Sequence, residues 1–376
     1  MRIGIDATAL PPQPVGAGNY IIQLIRSLAN VESEFEFVVF AQPEGRRQID
    51  LLESSRIHWV ETPQVNPGIR LIWEQTRFPR LIHQSNIDLF HCLHYTRPYL
   101  LSCLSVVTFH DMTFFLYPHL HTWVKRRFFP LAMRLSARSA QALIADSEST
   151  RLDAIRIMQI PPEKIVTVHL GVDPKFRVIH DPQALQQVRR EYKLPDSFIL
   201  YVGLIEPRKN VPLLIQAYKK LVDQGITTPL VIVGRLGWMS GEINDQIERL
   251  DLKERVQFTG YVPVEDLPGI YNLACLFVYP SRYEGFGFPV LEAMACGVPV
   301  ITSSVSSLPE IVGEAGMLIQ PDDEEVLTQA MGIVLSKPDL QAELARKGPV
   351  HAAEFTWERT ARRTIQVYRQ VLGMQG

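Results

Sequence analysis

No two cysteines stand at CxxC spacing: Cys92, Cys103, Cys275 and Cys296 are scattered, and no flanking histidine pair stands at zinc-finger spacing. That pattern argues against a zinc-ribbon site and a disulfide scaffold and leaves reduced thiols as the expectation. No run approaches about 18 uninterrupted apolar residues, so no membrane-spanning helix is expected. The opening MRIGIDATAL carries Asp6 inside a short apolar run and does not read as a signal peptide, which points to a cytoplasmic protein. A net charge excess is missing too: 38 Lys and Arg against 40 Asp and Glu give −2, and no nucleic-acid partner is expected. There is no Asp-x-Asp pair to chelate a divalent ion and no His or Cys cluster at transition-metal spacing, so neither a metal nor another cofactor is expected. Low-complexity tracts and repeats are absent as well.

What is present is alternation. A chain of 376 residues with 46% hydrophobic composition suits two cores better than one. Short runs rich in Val, Ile and Phe, at residues 2–6, 36–40, 87–91, 104–109, 142–147 and 164–170, are separated by amphipathic stretches at 18–29, 72–84, 122–138 and 149–158. Gly171, Pro174 and Pro182 then interrupt both periods, and a second series begins, with strands at 198–203, 229–234, 255–260, 275–280 and 299–303 and helices such as 210–225 and 324–336. Strands alternating with helices predict parallel sheets. The expected fold class is α/β, with two parallel-sheet domains and a cleft between them, the first over 1–175 and the second over 176–355. The last helix, 356–376, has Trp357, Ala361, Ile365, Tyr368 and Leu372 in one apolar stripe and must dock on something.

Five segments carry chemistry. In SRYEGFGFPVLEAMACGVPVITSS, residues 281–304, a strand leads through a Gly-Phe-Gly-Phe-Pro turn into a helix ended by Gly297 and Pro299. Val290, Leu291, Met294 and Ala295 would face the core, Glu292 and Cys296 the open side, and Glu284 the same rim. Amides of Gly287, Phe288 and Val290 at the helix start favour a bound anion, and a carboxylate at Glu292 can hold a vicinal diol. An acidic residue in a first turn, favoured by the dipole alone, is the plainer reading of Glu292. YVGLIEPRKN, residues 201–210, delivers Glu206, Arg208 and Lys209 just past a strand end, where two cations can neutralise a diphosphate or simply make a Glu206–Arg208 pair. PVGAGNYIIQL, residues 14–24, opens a helix through Gly16 and Gly18, which permit close approach of a ligand; Ile21 stands where a dinucleotide fingerprint has its third glycine. VVTFHDM, residues 106–112, ends a strand with His110, a hydrogen-bond donor or general acid/base if not a satisfied core histidine; His91 and His94 pose the same choice. Between Asp111 and Asp146 there is no acidic residue, while Lys125, Arg126, Arg127, Arg134 and Arg138 interleave with Trp123, Phe128 and Phe129. That segment, 123–138, is a solvated helix face or a peripheral contact with anionic lipid or an anionic acceptor.

Taken together the segments resemble the retaining GT-B glycosyltransferases of family 4 over essentially the whole chain. The strongest match is Glu284, seven residues, Glu292 within YEGFGFPVLEAMACGVPVI, followed by LPEIVGEAGMLIQPDD. The resemblance implies two Rossmann-like domains facing each other across a cleft, with the final helix crossing back to the first. It implies a nucleotide-sugar donor, a glycan or lipid-linked acceptor bound by the first domain, and no metal. It assigns Glu284 and His110 to the donor hexose, Glu292 to the ribose, Gly285, Phe286, Gly287 and Phe288 to sugar and phosphate, Arg208 and Lys209 to the diphosphate, Gly16 to the diphosphate from the first domain, and Val262 in TGYVP to the base. Where relatives put another basic residue after the strand glycine, this chain has Leu204. GLIEPRKN and GRLGWMSGEI look most like the subset that uses GDP-mannose to extend surface polysaccharides. A UDP- or dTDP-sugar transferase, a sugar-nucleotide epimerase and a non-catalytic nucleotide-sugar-binding subunit are the alternatives.

Overall fold

The computed structural model describes residues 1–14, 16–49, 56–64, 67–235 and 240–374. Val15 of the first glycine-rich turn and residues 236–239 of GRLGWMSGEI lie outside them. The chain divides into two units, Met1–Gly171 with Thr356–Gly376, and Val172–Phe355.

The first unit is built on seven parallel strands, β1 (Arg2–Asp6), β2 (Glu36–Ala41), β3 (Ile57–Glu61), β4 (Leu89–Cys92), β5 (Leu104–Phe109), β6 (Ala142–Ala145) and β7 (Ile165–Thr167), in the order β3-β2-β1-β4-β5-β6-β7. The second has β8 (Ile199–Val202), β9 (Leu230–Val233), β10 (Val256–Gly260), β11 (Leu276–Tyr279), β12 (Val300–Ser303) and β13 (Met317–Ile319), in the order β10-β9-β8-β11-β12-β13. Both are therefore Rossmann-like sheets whose strand order reverses once, between β1 and β4 and between β8 and β11. Ligands of such sheets bind beyond the strand C-termini at that reversal. Registers such as Ile3 opposite Phe37 and Leu89, and Phe277 opposite Leu200 and Val300, stack β-branched and aromatic residues that helices cover on both faces.

The expected helix over 72–84 is two helices, Pro67–Thr76 and Phe78–Gln84. Pro79 sits in the first turn of the second, where its missing N–H costs nothing, whereas within one continuous helix its ring would clash with the carbonyl of Gln75. In the first unit Phe40, Phe78 and Phe90 pack edge to face 5.5–5.6 Å apart, with Trp73 stacked on Phe78 at 4.6 Å. The last helix, Trp357–Val371, buries Trp357, Ala361, Ile365 and Tyr368 and packs on the helix Ala17–Asn30. Tyr368 reaches His91 Nδ1 at 2.7 Å, and Arg369 grips Glu34 through two 2.7 Å bonds. Gly171 carries no side chain because the backbone of Thr356 and Trp357 fills the place of a Cβ.

Candidate active site

At the β8/β11 reversal the chain end of each strand contributes charge. Past β8, Gly203 lies against Gly234, whose missing Cβ leaves room for the Gly203 carbonyl, and the loop then delivers Glu206 and the turn Pro207–Lys209. Past β11 come Ser281 and Glu284. The two segments are joined by Arg282 N donating to Arg208 O at 2.8 Å. Glu284 receives Lys209 Nζ at 2.6 Å and Ser281 Oγ at 2.6 Å on Oε1, and Arg208 Nη1 at 2.9 Å on Oε2. Arg208 also donates to Glu206 Oε1 at 2.6 Å, and Lys209 to the Tyr279 hydroxyl at 2.5 Å. Burial alone would raise the Glu284 carboxyl, but Arg208, then Lys209, hold it down at about 2. Glu284 is thus a firmly ionised carboxylate at the centre of a cluster of two cations and two anions. The expected pairing of Glu206 with Arg208 is present, but the cations are not presented bare: Glu284 already occupies both.

The turn after Glu284 is braced from behind, with Glu284 N donating to Ser306 Oγ at 2.8 Å and Ser307 Oγ donating to Phe286 O at 2.7 Å. Gly287, at φ 113, caps the helix Phe288–Ala295; a Cβ there would adopt a backbone conformation L-residues avoid and press on Leu308. Gly287 O accepts from Val290 N and Leu291 N, so the Val290 amide, expected to point outward, is used inside the helix. Gly297 N bonds to Met294 O and Val298 N to Ala293 O, a Schellman closure with Gly297 at φ 73.

Two expectations for this helix are corrected. Glu292 falls in the second turn, with no acidic residue in the first, so the dipole does not explain it. Cys296 is buried rather than facing the open side, because the helix Pro338–Ala352 packs closely enough that Gly348 meets the Met294 backbone, and the segment at Val178 covers Gly297. Glu292 accepts from the Tyr271 hydroxyl at 3.0 Å, and burial pushes its carboxyl up to about 7. Tyr271 lies on the helix Leu267–Leu273, which follows the loop carrying Val262; Val262 is buried, while Tyr261 beside it is 54% exposed under the Arg235 guanidinium at 4.5 Å. The diol-holding candidate and the base-reading candidate are thus tied through one short helix.

In the first unit Gly16, at φ 49, caps the helix Ala17–Asn30 with open space around it. Gly18 has a packing reason instead: a Cβ there would lie 2.8 Å from Pro14 Cβ. One turn on, the Tyr20 ring meets His110 edge to face at 5.0 Å. His110 Nε2 faces Leu93 O at 2.8 Å and must carry hydrogen; Nδ1 faces Asp146 Oδ2 at 2.7 Å. Burial would lower the imidazole, but Asp146 outweighs it and holds it above its usual value. Both nitrogens are therefore engaged inside the unit, and His110 does not present one to a ligand in this arrangement. His91 is the satisfied core histidine, bonded to Tyr368 and Thr108 Oγ1 and lowered to about 3 by burial. Sequence reasoning missed Asp146, Tyr279, Ser281 and Tyr271; Asp146, at a strand end just before the helix-capping Ser147, carried the only local signal. Among the described residues no group of three or more His, Cys, Asp or Glu is placed to hold a metal ion, and no helix is long and apolar enough to cross a membrane.

Residues 14–176 match the model of Glycosyltransferase Family 4 and residues 186–351 that of the Glycosyl transferases group 1. An O-antigen chain mannosyltransferase B of Escherichia coli is 32% identical over 371 residues, 94% of this chain and 96% of that one. The chain belongs to the group 1 glycosyltransferases. Its serotype-specific relative WbdA, also of Escherichia coli, is 33% identical over 243 residues, 62% of this glycosyltransferase and 29% of the longer protein. The GT-B fold is shared with the sucrose-phosphate synthase of Thermosynechococcus elongatus (TM-score 0.78, 22% identity, 99% of each chain). Anabaena Alr3699/HepE in complex with UDP-glucose is equally similar (TM-score 0.78, 20% identity, 98% of this chain and 100% of that one).

Proposed function

We propose that this glycosyltransferase moves a mannosyl group from GDP-mannose to a glycan or lipid-linked acceptor during surface-polysaccharide assembly, with retention of anomeric configuration. The end-to-end similarity to an O-antigen chain mannosyltransferase supports the mannosyl group and a glycan acceptor. The observation that carries the chemistry is Glu284 held jointly by Arg208 and Lys209 at the strand reversal. A diphosphate arriving there exchanges with Glu284: the cations turn to the phosphate oxygens, and Glu284 turns to the hexose hydroxyls. The acceptor oxygen attacks the anomeric carbon from the face that the diphosphate leaves; the C1–O bond to phosphate breaks, and a phosphate oxygen takes the acceptor's proton. The products are a glycoside and GDP. Arg208 and Lys209, with the turn Gly285–Phe288, stabilise the departing charge, Glu292 accepts from the ribose, and the Val262 backbone reads the base. Since the cations meet the diphosphate charge, transfer does not depend on a divalent ion and survives EDTA.

Peripheral membrane contact is part of the same reading. The helix Trp123–Ser139 buries Ala132, Met133 and Ala137 and exposes Trp123, Val124 and Leu131 among Lys125, Arg126, Arg127, Arg134 and Arg138, which suits the anionic inner face of a plasma membrane. The donor is tested by calorimetry with GDP-mannose, UDP-glucose, UDP-GlcNAc and dTDP-rhamnose. GDP-mannose is expected to bind tightest, and preference for a UDP- or dTDP-sugar overturns the donor assignment.

A further inference from the structure

At the other strand reversal, between β1 and β4, lies a second polar cluster, outside the residues assigned above to the donor. Asp6, the last residue of β1, is 7% exposed and closes a turn by accepting Thr8 N at 2.9 Å and Thr8 Oγ1 at 2.6 Å on Oδ1. Glu74, on the helix Pro67–Thr76, is 2% exposed and accepts Thr96 Oγ1 at 3.1 Å on Oε1. Its Oε2 is buried with no hydrogen-bond partner; Arg70 Nη1, one helical turn back, stands 3.8 Å away. Asp6 pairs with Cys92 at the end of β4, so His94 and Thr96, which follow that strand, leave the sheet beside it, and the Arg70 charge acts on both Asp6 and His94. Gln75, the neighbour of Glu74, pins the adjoining loop by accepting Tyr99 N at 2.9 Å and donating to Arg97 O at 3.3 Å. The His94 ring lies 5.7 Å from His110, and its Nδ1 is likewise buried without a partner.

We propose that Asp6, Arg70 and Glu74 form a binding subsite for an uncharged sugar ring of the acceptor, with Glu74 Oε2 accepting one of its hydroxyls. A buried carboxylate oxygen left without a donor is costly, and native structures keep such groups where something else completes them. Two carboxyl groups beside one guanidinium present more acceptor oxygens than the protein supplies donors for, which suits the hydroxyls of a sugar ring. Strand C-termini at an order reversal are where this sheet type takes ligands. Burial, and then Asp6, push the Glu74 carboxyl up to about 7, so near neutrality it can also donate to a hydroxyl oxygen. The subsite rests on the transferase reading for its occupant but not on the identity of the donor.

The test is saturation-transfer NMR on the full chain with methyl α-D-mannoside, methyl α-D-glucoside and methyl α-D-galactoside, and with mannose 6-phosphate as the anionic control. Wild type is expected to bind at least one neutral glycoside and not the phosphate. Glu74→Gln and Asp6→Asn should each weaken that binding about tenfold or more. GDP affinity should stay within about twofold, and dispersed methyl resonances of the unit Met1–Gly171 in the proton spectrum of each variant show that the substituted unit is folded. In transfer assays the acceptor KM should rise while the donor KM holds. Glycoside binding unchanged in both variants, no neutral glycoside bound by wild type, or preference for mannose 6-phosphate overturns the subsite. A wrong donor assignment would appear in the nucleotide-sugar panel and leave the NMR result untouched.

Discussion

Replacing Glu284 by glutamine keeps the side-chain volume and removes the carboxylate that Arg208 and Lys209 share. The carboxyl stands at about 2 in the fold against its ordinary 4.5, and Glu284 is only 7% exposed. At about 1.4 kcal/mol per pH unit, that difference corresponds to about 3 kcal/mol of stabilisation. Breaking a buried ion pair from one side costs about 3–5 kcal/mol, so the two routes agree. The sign follows from the depressed carboxyl: the stabilisation is complete above pH 4.5 and is lost as pH falls toward 2. For a unit of Val172–Phe355, each kcal/mol moves the melting temperature by about 2–4 °C, so Glu284→Gln should melt about 6–12 °C lower at pH 7.5. The difference should persist down to pH 5 and narrow below 4.5. GDP should raise the melting temperature of the variant more than that of wild type, because the diphosphate then supplies the missing anion without displacing one. Transfer should fall at least about tenfold, since the hexose loses its carboxylate. Scanning calorimetry with and without GDP reads all but the last. A variant melting within about 2 °C of wild type with an equal GDP shift would refute the claim that Glu284 is the counter-ion of both cations.

Arg208→Ala should weaken GDP binding about tenfold or more in calorimetry, because one of two diphosphate cations is gone; unchanged affinity would place the diphosphate elsewhere. Glu292, raised to about 7, is stabilising when protonated: its contribution is full below pH 4.5 and is lost as pH rises to 7, so Glu292→Gln should gain about 1–3 kcal/mol relative to wild type between pH 5 and 8 in urea melts. The same ionisation should make GDP affinity rise with pH through about 7 in wild type and not in Glu292→Gln, a difference that calorimetry at three pH values reads. In the last helix, Tyr368→Phe leaves His91 Nδ1 unpaired in the core and should cost about 1–3 kcal/mol. Arg369→Ala, which breaks an exposed pair with Glu34, should cost less than about 1 kcal/mol by denaturant titration.

The parallel-sheet architecture was legible because central strands are short runs dominated by Val, Ile, Leu and Phe and buried on both faces, as in LVIV. Two edge strands, β3 and β13, were not. Ile57–Glu61 fully buries only Ile57, and Met317–Ile319 is three residues long with Leu318 open to solvent, so neither announces itself. Glu284, Arg208 and Lys209 could each be picked out locally, but their union requires β8 and β11 to be neighbours, a fact of strand order that no local window contains. For the same reason His110 gave no hint of Asp146, 36 positions away on the next strand. Cys296 was misplaced because helical periodicity identifies one covered face, whereas the helix Phe288–Ala295 is covered on two.

The central claim, retaining transfer of mannose from a guanine nucleotide, meets its most direct test in the proton NMR spectrum of the first-formed product from GDP-α-mannose and octyl α-mannoside. An α-linked mannoside appearing with stoichiometric GDP, with EDTA present, is the expected outcome. A β-linked product, or transfer from a UDP-sugar but not from GDP-mannose, would contradict it.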